Sequence, residues 1–577
     1  MSTLLSVETR IRRLALANAL AHHGDARPGP ILARLLATDP SLRAEAAPLG
    51  EIVRRIVAEA NAMPPTEQET ELSRLGGPEE EGRPSGGGGM PVLPPLPGAV
   101  DGAVTLRLAP FPSGALHVGN ARMLFLNDAY RQRYHGRLLL VFDDTIGSAE
   151  KRVDPELFDV IRGDLELAGV PVDGVFYKSD RIPQFYPWAR RVIDRGGAYV
   201  CTCAADRLRE NRKAGRPCPE RLQSVEATRT GWEAMLGGRF AEGEAVLRLR
   251  TDMADPDPAF RDRVLFRISD LDHPRVGRKY RVWPLLEFSW AVDDVELGIT
   301  HVLRGKDLVM EDRMEEFLWG LLGITGPPFL HWGMLRVREA KLSKSKSYQE
   351  VKSGVYDGWA DPRTWSLRSL DRRGIRLEAL RQFTLSFGLS LADVEVPAET
   401  LYAENRQRID GSTPRRAFVP DPVAVRVDGF PEELREVVLP NHPERAEMGE
   451  RRVRTGPDFW LPGPEVLRHA GTEIRLKDLV NILLPPADPA APPGPIAARF
   501  TSRENRKLPR IQWVGTEGAV AVEILEVDGT LRTGRGEAAI ATAAPGTVFQ
   551  FERVGFVRVD PARPPGTAAV RVCFGHS

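Results

Sequence analysis

The chain has 577 residues, enough for several domains. Lysine plus arginine and aspartate plus glutamate both total 79, so no global field draws the protein to nucleic acid and any such surface must be local. No run of about 20 apolar residues predicts a membrane span, the charged, amphipathic start is unlike a signal peptide, and four cysteines make no disulfide framework. The expectation is a cytoplasmic protein that stays off membranes.

Residues 1–81 read as a helical appendage, with Ile11, Leu14, Leu16 and Leu20, then Ile52, Ile56 and Ala60, at helical spacing. Asp39-Pro40-Ser41 and Met63-Pro64-Pro65 punctuate it. Residues 82–100 contain four consecutive glycines, 86–89, and a proline-rich tail, a composition that predicts a linker. Over 101–200 strands and helices alternate: strand 104–108, helix 121–134, strand 138–142, helix 155–168, helix 182–195. That alternation predicts a doubly wound, Rossmann-like parallel sheet, with its ligand crevice at the strand C-termini.

From 201 to 278 the pattern loosens into a mixed insertion, and α/β character resumes over 279–335, at 280–290 and 299–303. Over 336–400 a loop is expected to give way to helices, which run up to 388. Over 401–577 short apolar stretches alternate with turns, at 423–427, 511–514, 520–527, 548–551 and 557–559, which predicts two β-barrels.

Two segments carry the chemistry. Pro110-Phe111-Pro112-Ser113-Gly114-Ala115-Leu116-His117-Val118-Gly119-Asn120 joins the first strand to a helix, where backbone N–H groups face an anion. Lys341-Leu342-Ser343-Lys344-Ser345 is a basic, serine-rich loop suited to polyphosphate; with Lys346 it holds three of the chain's 11 lysines. In this order the two resemble the HIGH and KMSKS signatures of class I aminoacyl-tRNA synthetases. Such an enzyme joins a carboxylate to the α-phosphate of ATP, so catalysis rests on positioning and charge neutralisation and needs no general base. His117 suits a phosphate donor, Gly119 a close approach of adenosine to backbone, and Lys344 a clamp on pyrophosphate.

The surroundings resemble the archaeal-type glutamyl-tRNA synthetases, which share their architecture with glutaminyl-tRNA synthetases. The resemblance runs through Leu106-Arg107-Leu108-Ala109-Pro110, Phe142-Asp143-Asp144-Thr145, Tyr199-Val200-Cys201-Thr202-Cys203, Lys279-Tyr280-Arg281-Val282-Trp283-Pro284, Ile299-Thr300-His301-Val302-Leu303-Arg304-Gly305-Lys306 and Gln550-Phe551-Glu552-Arg553-Val554-Gly555-Phe556-Val557-Arg558. It implies ATP contacts from Pro110, Pro112, Ser113, Gly114, His117, Gly119, Asn120, Lys341, Ser343, Lys344 and Ser345. His117, Asn120, Lys341 and Lys344 then hold the catalytic roles.

It also implies that Arg107 and Arg304 meet the substrate's γ-carboxylate, that Asp143 takes its α-ammonium, and that Leu286 lines the pocket. A guanidinium at 304 favours glutamate over glutamine, since an unpaired buried cation beside an amide is costly. Four positions depart from the family's pattern: Asn120 for histidine, Phe111 for a small polar residue, Val141 for arginine and Leu286 for tyrosine. A glutaminyl enzyme, or a tRNA-binding relative with weak charging, therefore stays open as an alternative.

Cys201, Cys203 and Cys218 offer three thiolates, with Glu220 where the family often has histidine; Zn²⁺ and simple buried thiols are both compatible readings. By resemblance the insertion, with Arg207, Arg209, Arg212, Lys213 and Arg216, holds the tRNA acceptor end, and the barrels read the anticodon. The implied reaction uses ATP, Mg²⁺, L-glutamate and tRNA-Glu, with tRNA-Gln as a possible second partner, and the chain is expected to be a monomer.

Overall fold

A computed structural model describes the chain except residues 1, 22–23, 30, 33–34, 36–45, 76–92, 146–152, 341–343, 488–493 and 563–567; at 2–7, 21, 46–47, 65, 73 and 344–345 it describes backbone only. Lys341 and Ser343, the side chains of Lys344 and Ser345, and residues 82–92 of the expected linker thus lie outside the description. Two units are distinct, Met1–Pro91 and Val92–Ser577.

In the first unit the helices Ser2–Ala21, Ala46–Asn61 and Pro65–Arg74 enclose Ile11, Leu14, Leu16, Val53, Ile56 and Leu72. Ile11, Leu14 and Ala60 are buried as the periodicity predicts, while Leu20 and Ile52 lie at the margin of the core. One polar group is buried among them. Gln68 donates to the carbonyls of Gly24, Ala60 and Met63 at 3.0–3.1 Å, tying the third helix to the turns around it.

In the second unit β1 (Thr105–Leu108), β2 (Arg137–Phe142) and β3 (Gly174–Tyr177) form a parallel sheet in the order β1-β2-β3. Five consecutive residues of β2, 138–142, are buried, as expected of a strand covered on both faces. A Cβ at Gly136, just before β2, would lie 2.4 Å from the Val104 carbonyl oxygen, so the close approach of the two strands requires glycine.

β4 (Ala198–Cys201), β5 (Val246–Leu249), β6 (Val264–Ile268) and β7 (Val282–Pro284) make a separate antiparallel sheet, carrying the helices Ala205–Ala214 and Val225–Leu236 in its connections. The insertion's sheet therefore begins before residue 201 and ends after 278. β8 (Val302–Gly305) pairs in parallel with β9 (Phe329–Trp332). Thr300 N–H donates to the Thr105 carbonyl, and Thr105 N–H to Thr300 Oγ1, both at 3.0 Å. The parallel layer thus runs β3-β2-β1-β8-β9, reversing direction between β1 and β8, where a ligand crevice is expected.

Beyond the expected helices, Leu335–Val337 pairs in parallel with Val394–Val396. One expectation is corrected. The β-rich region begins at Arg415 rather than 401, because the helix Ala398–Ile409 buries Leu401, Asn405 and Ile409. Beyond it, two seven-stranded sheets wrap separate cores around Phe459 and Ile482, and around Phe551 and Val572. The second sheet opens with Arg415–Arg416 and Phe418–Pro420, then resumes at Val520 after the chain has built the first.

Candidate active site

The proline- and glycine-rich turn follows β1 and ends on the helix Ala121–Arg133. His117 caps the short turn Val118–Asn120, its Nδ1 accepting Gly119 N–H at 3.1 Å while its own N–H donates to Asn120 Oδ1 at 3.2 Å. An Nδ1 that accepts carries no proton, so the neutral ring keeps its proton on Nε2. Asn120 thus acts on the turn that presents His117.

Pro112 and Gly114 are buried, Ser113 is half-buried and Gly119 is exposed. The Pro110 carbonyl accepts Asp143 N–H at 3.1 Å, joining the turn to the end of β2. A Cβ at Gly114 would sit 3.1 Å from the Trp359 ring. Asp164, absent from the sequence reading, supports the turn from behind: its carboxylate accepts Leu116 N–H at 2.8 Å and Arg368 Nε at 2.6 Å. The helix Lys344–Lys352 begins within the basic segment, so Lys344 and Ser345 are helical and not part of a loop as expected; it is tied down by Tyr348 and Lys352, whose Oη and Nζ lie 2.8 and 2.9 Å from Asp154 Oδ2. Lys346 is exposed.

Arg107 and Arg304 each occupy the penultimate position of β1 and β8, and both are buried. From these neighbouring strands they converge on one indole, with Cζ 5.0 and 5.1 Å from the Trp290 ring. Each is also ion-paired inside the protein. Arg107 forks onto Asp294, with Nη2 2.8 Å from Oδ2. Arg304 donates through Nε to Asp312 at 2.7 Å and through Nη1 to Glu315 at 2.8 Å.

Burial pushes the Glu315 carboxyl up to about 8, against the pull of the Arg304 guanidinium. Asp144 is pushed up to about 6 by burial, although Ser179 donates to it through N–H and Oγ. Asp143 lies 3.1 Å from the ammonium of Lys178, a residue the sequence reading missed. Leu286 opens the helix Leu286–Glu296 at the edge of this region. Trp290 Nε1, buried on the same helix, has no hydrogen-bond partner among the described residues.

In the insertion Cys201, Cys203, Cys218 and Glu220 come together, with ligand atoms all within 4.8 Å of one another. The fully buried Arg248 sets Nη1 3.0 Å from Cys218 Sγ. Burial opposes ionisation of Cys218, but Asn211, Arg248 and the neighbouring thiols outweigh it and lower its pKa. Three thiolates and a carboxylate around Zn²⁺ carry a net charge of about −2, which the guanidinium reduces to about −1. The donor set and its buried counter-cation fit zinc. On the neighbouring helix Arg207, Arg209 and Lys213 are exposed, as is Arg216 beyond its end, whereas Arg212 is fastened to the Pro258 carbonyl at 3.1 Å.

A parallel sheet with a His-bearing turn at its direction switch, joined to two β-sheet modules, defines a class I synthetase architecture. Residues 103–411 match the model for tRNA synthetases class I (E and Q), catalytic domain, and 413–488 and 510–560 match the corresponding anti-codon binding domains. The chain is 39% identical over 571 residues to a glutamate–tRNA ligase of Methanopyrus kandleri, covering 97% of this chain and 98% of that protein. It is 38% identical over 565 residues to a glutamate–tRNA ligase of Pyrococcus abyssi, covering 96% and 98%. The chain belongs to the class I tRNA synthetases of the E and Q group. Among the described residues no helix is long and apolar enough to cross a membrane.

Proposed function

We propose that this protein attaches L-glutamate to tRNA in two steps, through a glutamyl-adenylate formed from ATP. The observation that carries the reading is the convergence of Arg107 and Arg304 on one buried spot beside the His117 turn, in a chain related over nearly its whole length to glutamate–tRNA ligases. A γ-carboxylate entering there meets two guanidiniums, which recognise carboxylates through a planar fork. Glutamine has no charge to offer them.

In this reading Pro110, Pro112, Ser113, Gly114, Gly119 and Asn120 shape the ATP cradle, and His117 Nε2–H donates to phosphate. The basic segment of Lys341, Ser343, Lys344 and Ser345 neutralises the leaving pyrophosphate together with Mg²⁺, which arrives with the nucleotide. Asp143 receives the α-ammonium and Leu286 lines the pocket wall. The substrate carboxylate is already ionised at neutral pH and attacks the α-phosphorus, expelling pyrophosphate; the tRNA terminal hydroxyl then displaces AMP.

The insertion around β4–β7 would hold the acceptor end, with Cys201, Cys203, Cys218 and Glu220 around a structural zinc ion. The two C-terminal sheets would take the anticodon, tRNA-Glu first and tRNA-Gln as a second candidate. The test is aminoacylation of each purified tRNA with labelled glutamate and glutamine. Charging with glutamine and none with glutamate overturns the assignment.

A further inference from the structure

The amino-acid end of the site contains a cation that the proposed reaction leaves idle. Lys178, directly after β3, is fully buried. Its Nζ donates to Ser289 Oγ at 2.6 Å, lies 3.1 Å from Asp143 Oδ1 and sits 5.1 Å from the centre of the Trp290 ring. The same ring receives Arg107 and Arg304, so the lysine belongs to the substrate pocket itself. An ammonium held out of water needs a partner, and Asp143 supplies it.

The neighbouring carboxylates hold donors of their own, although Asp293 Oδ2 has no hydrogen-bond partner among the described residues and that carboxylate also feels the Lys178 charge. Asp294 is forked by Arg107, Asp144 by the N–H and hydroxyl of Ser179, and Asp293 accepts Arg181 Nε at 2.6 Å. Asp312 is shared by Arg304 and by His331 Nε2, at 2.6 Å. Asp143 differs from these four. Its ionic partner is a lysine, a point charge on a flexible stem, and its further contact is Thr145 Oγ1 at 3.5 Å. A primary ammonium on an alkyl stem is also what an amino acid presents at its α-carbon.

We propose that Lys178 is an internal stand-in for the substrate's α-ammonium, occupying Asp143 until an amino acid displaces it and so setting the KM for glutamate. The proposal rests on the reading of Asp143 given above. The free pocket keeps its buried carboxylate paired, and an arriving glutamate exchanges one ammonium for another instead of gaining a new contact. Ser289 Oγ offers a hydrogen-bond partner to the displaced Nζ. The α-ammonium therefore adds little to affinity in the native protein. Without Lys178, Asp143 stands unpaired until substrate arrives, and the same ammonium becomes a large contributor.

The test pairs glutamate with glutarate, which is glutamate without its amino group. In the native protein glutarate should inhibit glutamate charging with a Ki within about threefold of the glutamate KM, far less than the roughly 10–100-fold that a charged hydrogen bond gives. In Lys178→Met the glutamate KM should fall by roughly that 10–100-fold while the Ki of glutarate does not fall. Lys178→Arg, whose planar fork would commit Asp143 as Arg107 commits Asp294, should raise the glutamate KM above the native value without lowering the Ki of glutarate.

An unchanged or higher glutamate KM in a folded Lys178→Met overturns the proposal. Should that variant fail to fold, a glutarate Ki more than about 30-fold above the KM in the native protein overturns it alone. If the native protein charges glutamine instead, the functional reading fails, and the same measurements with glutamine and its deaminated analogue glutaramate decide Lys178 separately. Charging of neither amino acid by either protein overturns both.

Discussion

Asp164 accepts the backbone N–H of Leu116 at 2.8 Å, across 48 residues of sequence, and so fixes the middle of the His117 turn to the helix Glu156–Leu167. Its other oxygen accepts Arg368 Nε at 2.6 Å. The carboxylate is wholly buried, and that burial pushes it up to about 6 in spite of both donors. It therefore supports the turn that carries His117 from the helix side.

Asp164→Ala should raise the KM for ATP more than that for glutamate, because the turn loses its rear anchor while the Arg107 and Arg304 side of the pocket is untouched. Leaving Leu116 N–H and Arg368 unsatisfied should cost about 1–3 kcal/mol of stability. Asp164→Asn keeps an acceptor for Leu116 and should retain most of the ATP affinity. Equal loss for both substrates in the alanine variant would show that the turn is held by other contacts.

Much of this arrangement was legible in the sequence where local rules decide it. β1, β2 and the helices around them follow from apolar runs and Pro/Gly punctuation, and the Cys201, Cys203 and Cys218 group from its spacing, with Glu220 added by the family resemblance. Partners were not legible, because they come from residues far apart: Arg107 meets Asp294 across 187 positions, and Lys178 meets Ser289 across 111. Lys178 sits between the expected helices 155–168 and 182–195, where the four-residue strand before it is not anticipated, and Trp290 reads as one more apolar residue of the stretch 280–290. The insertion's strands, of three to five residues each, are too short for alternation to register. The stretch 511–514 reads as one strand but divides into Arg510–Ile511 and Val514–Gly515, which pair with different neighbours.

The Glu315 carboxyl gives the fold a pH dependence of definite sign. Burial raises it from 4.5 to about 8, outweighing Arg304, and its Oε2 has no partner among the described residues. The folded protein keeps a proton there that the unfolded chain releases. The associated stability is full below about pH 4.5 and is lost as pH rises toward about 8. Glu315→Gln is neutral throughout, so its advantage in Tm over the native protein should widen between about pH 5 and 8, with an upper bound of about 5 kcal/mol. Asp144 and Asp164 shift in the same direction in both proteins, which makes the difference between the two curves the informative quantity. Parallel curves would place an ionised carboxylate beside Arg304 across the whole range.

Zinc is tested by elemental analysis of protein purified without affinity metals. About one zinc per chain is expected, lost in Cys218→Ser along with stability of the β4–β7 sheet. Arg248→Met should weaken zinc retention as well, since it removes the counter-charge 3.0 Å from Cys218 Sγ. Fully active protein without zinc would reduce the three cysteines to packing residues.

Arg304 is the position where fold and specificity are hardest to separate. Its guanidinium lies between Asp312 and Glu315, with Cζ 4.6 Å from the Phe329 ring and 5.1 Å from Trp290. Arg304→Cys breaks a buried pair, which typically costs about 3–5 kcal/mol, so a fall in Tm is expected whatever the residue does for substrate. The same loss should lower kcat/KM for glutamate by roughly two to three powers of ten and shift relative preference toward glutamine. The two effects separate in Arg304→Gln combined with Asp312→Asn. Burial already pushes the Glu315 carboxyl toward its neutral form, so Asp312 is the charge most exposed by loss of the arginine, and its neutralisation should recover most of the stability. Glutamate kinetics should stay poor in the double variant, since a single guanidinium, Arg107, is left at the Trp290 ring to meet the γ-carboxylate. ATP affinity should be unchanged in every variant of this set. Recovery of the glutamate KM together with the Tm would mean that Arg304 acts on the reaction only through the fold.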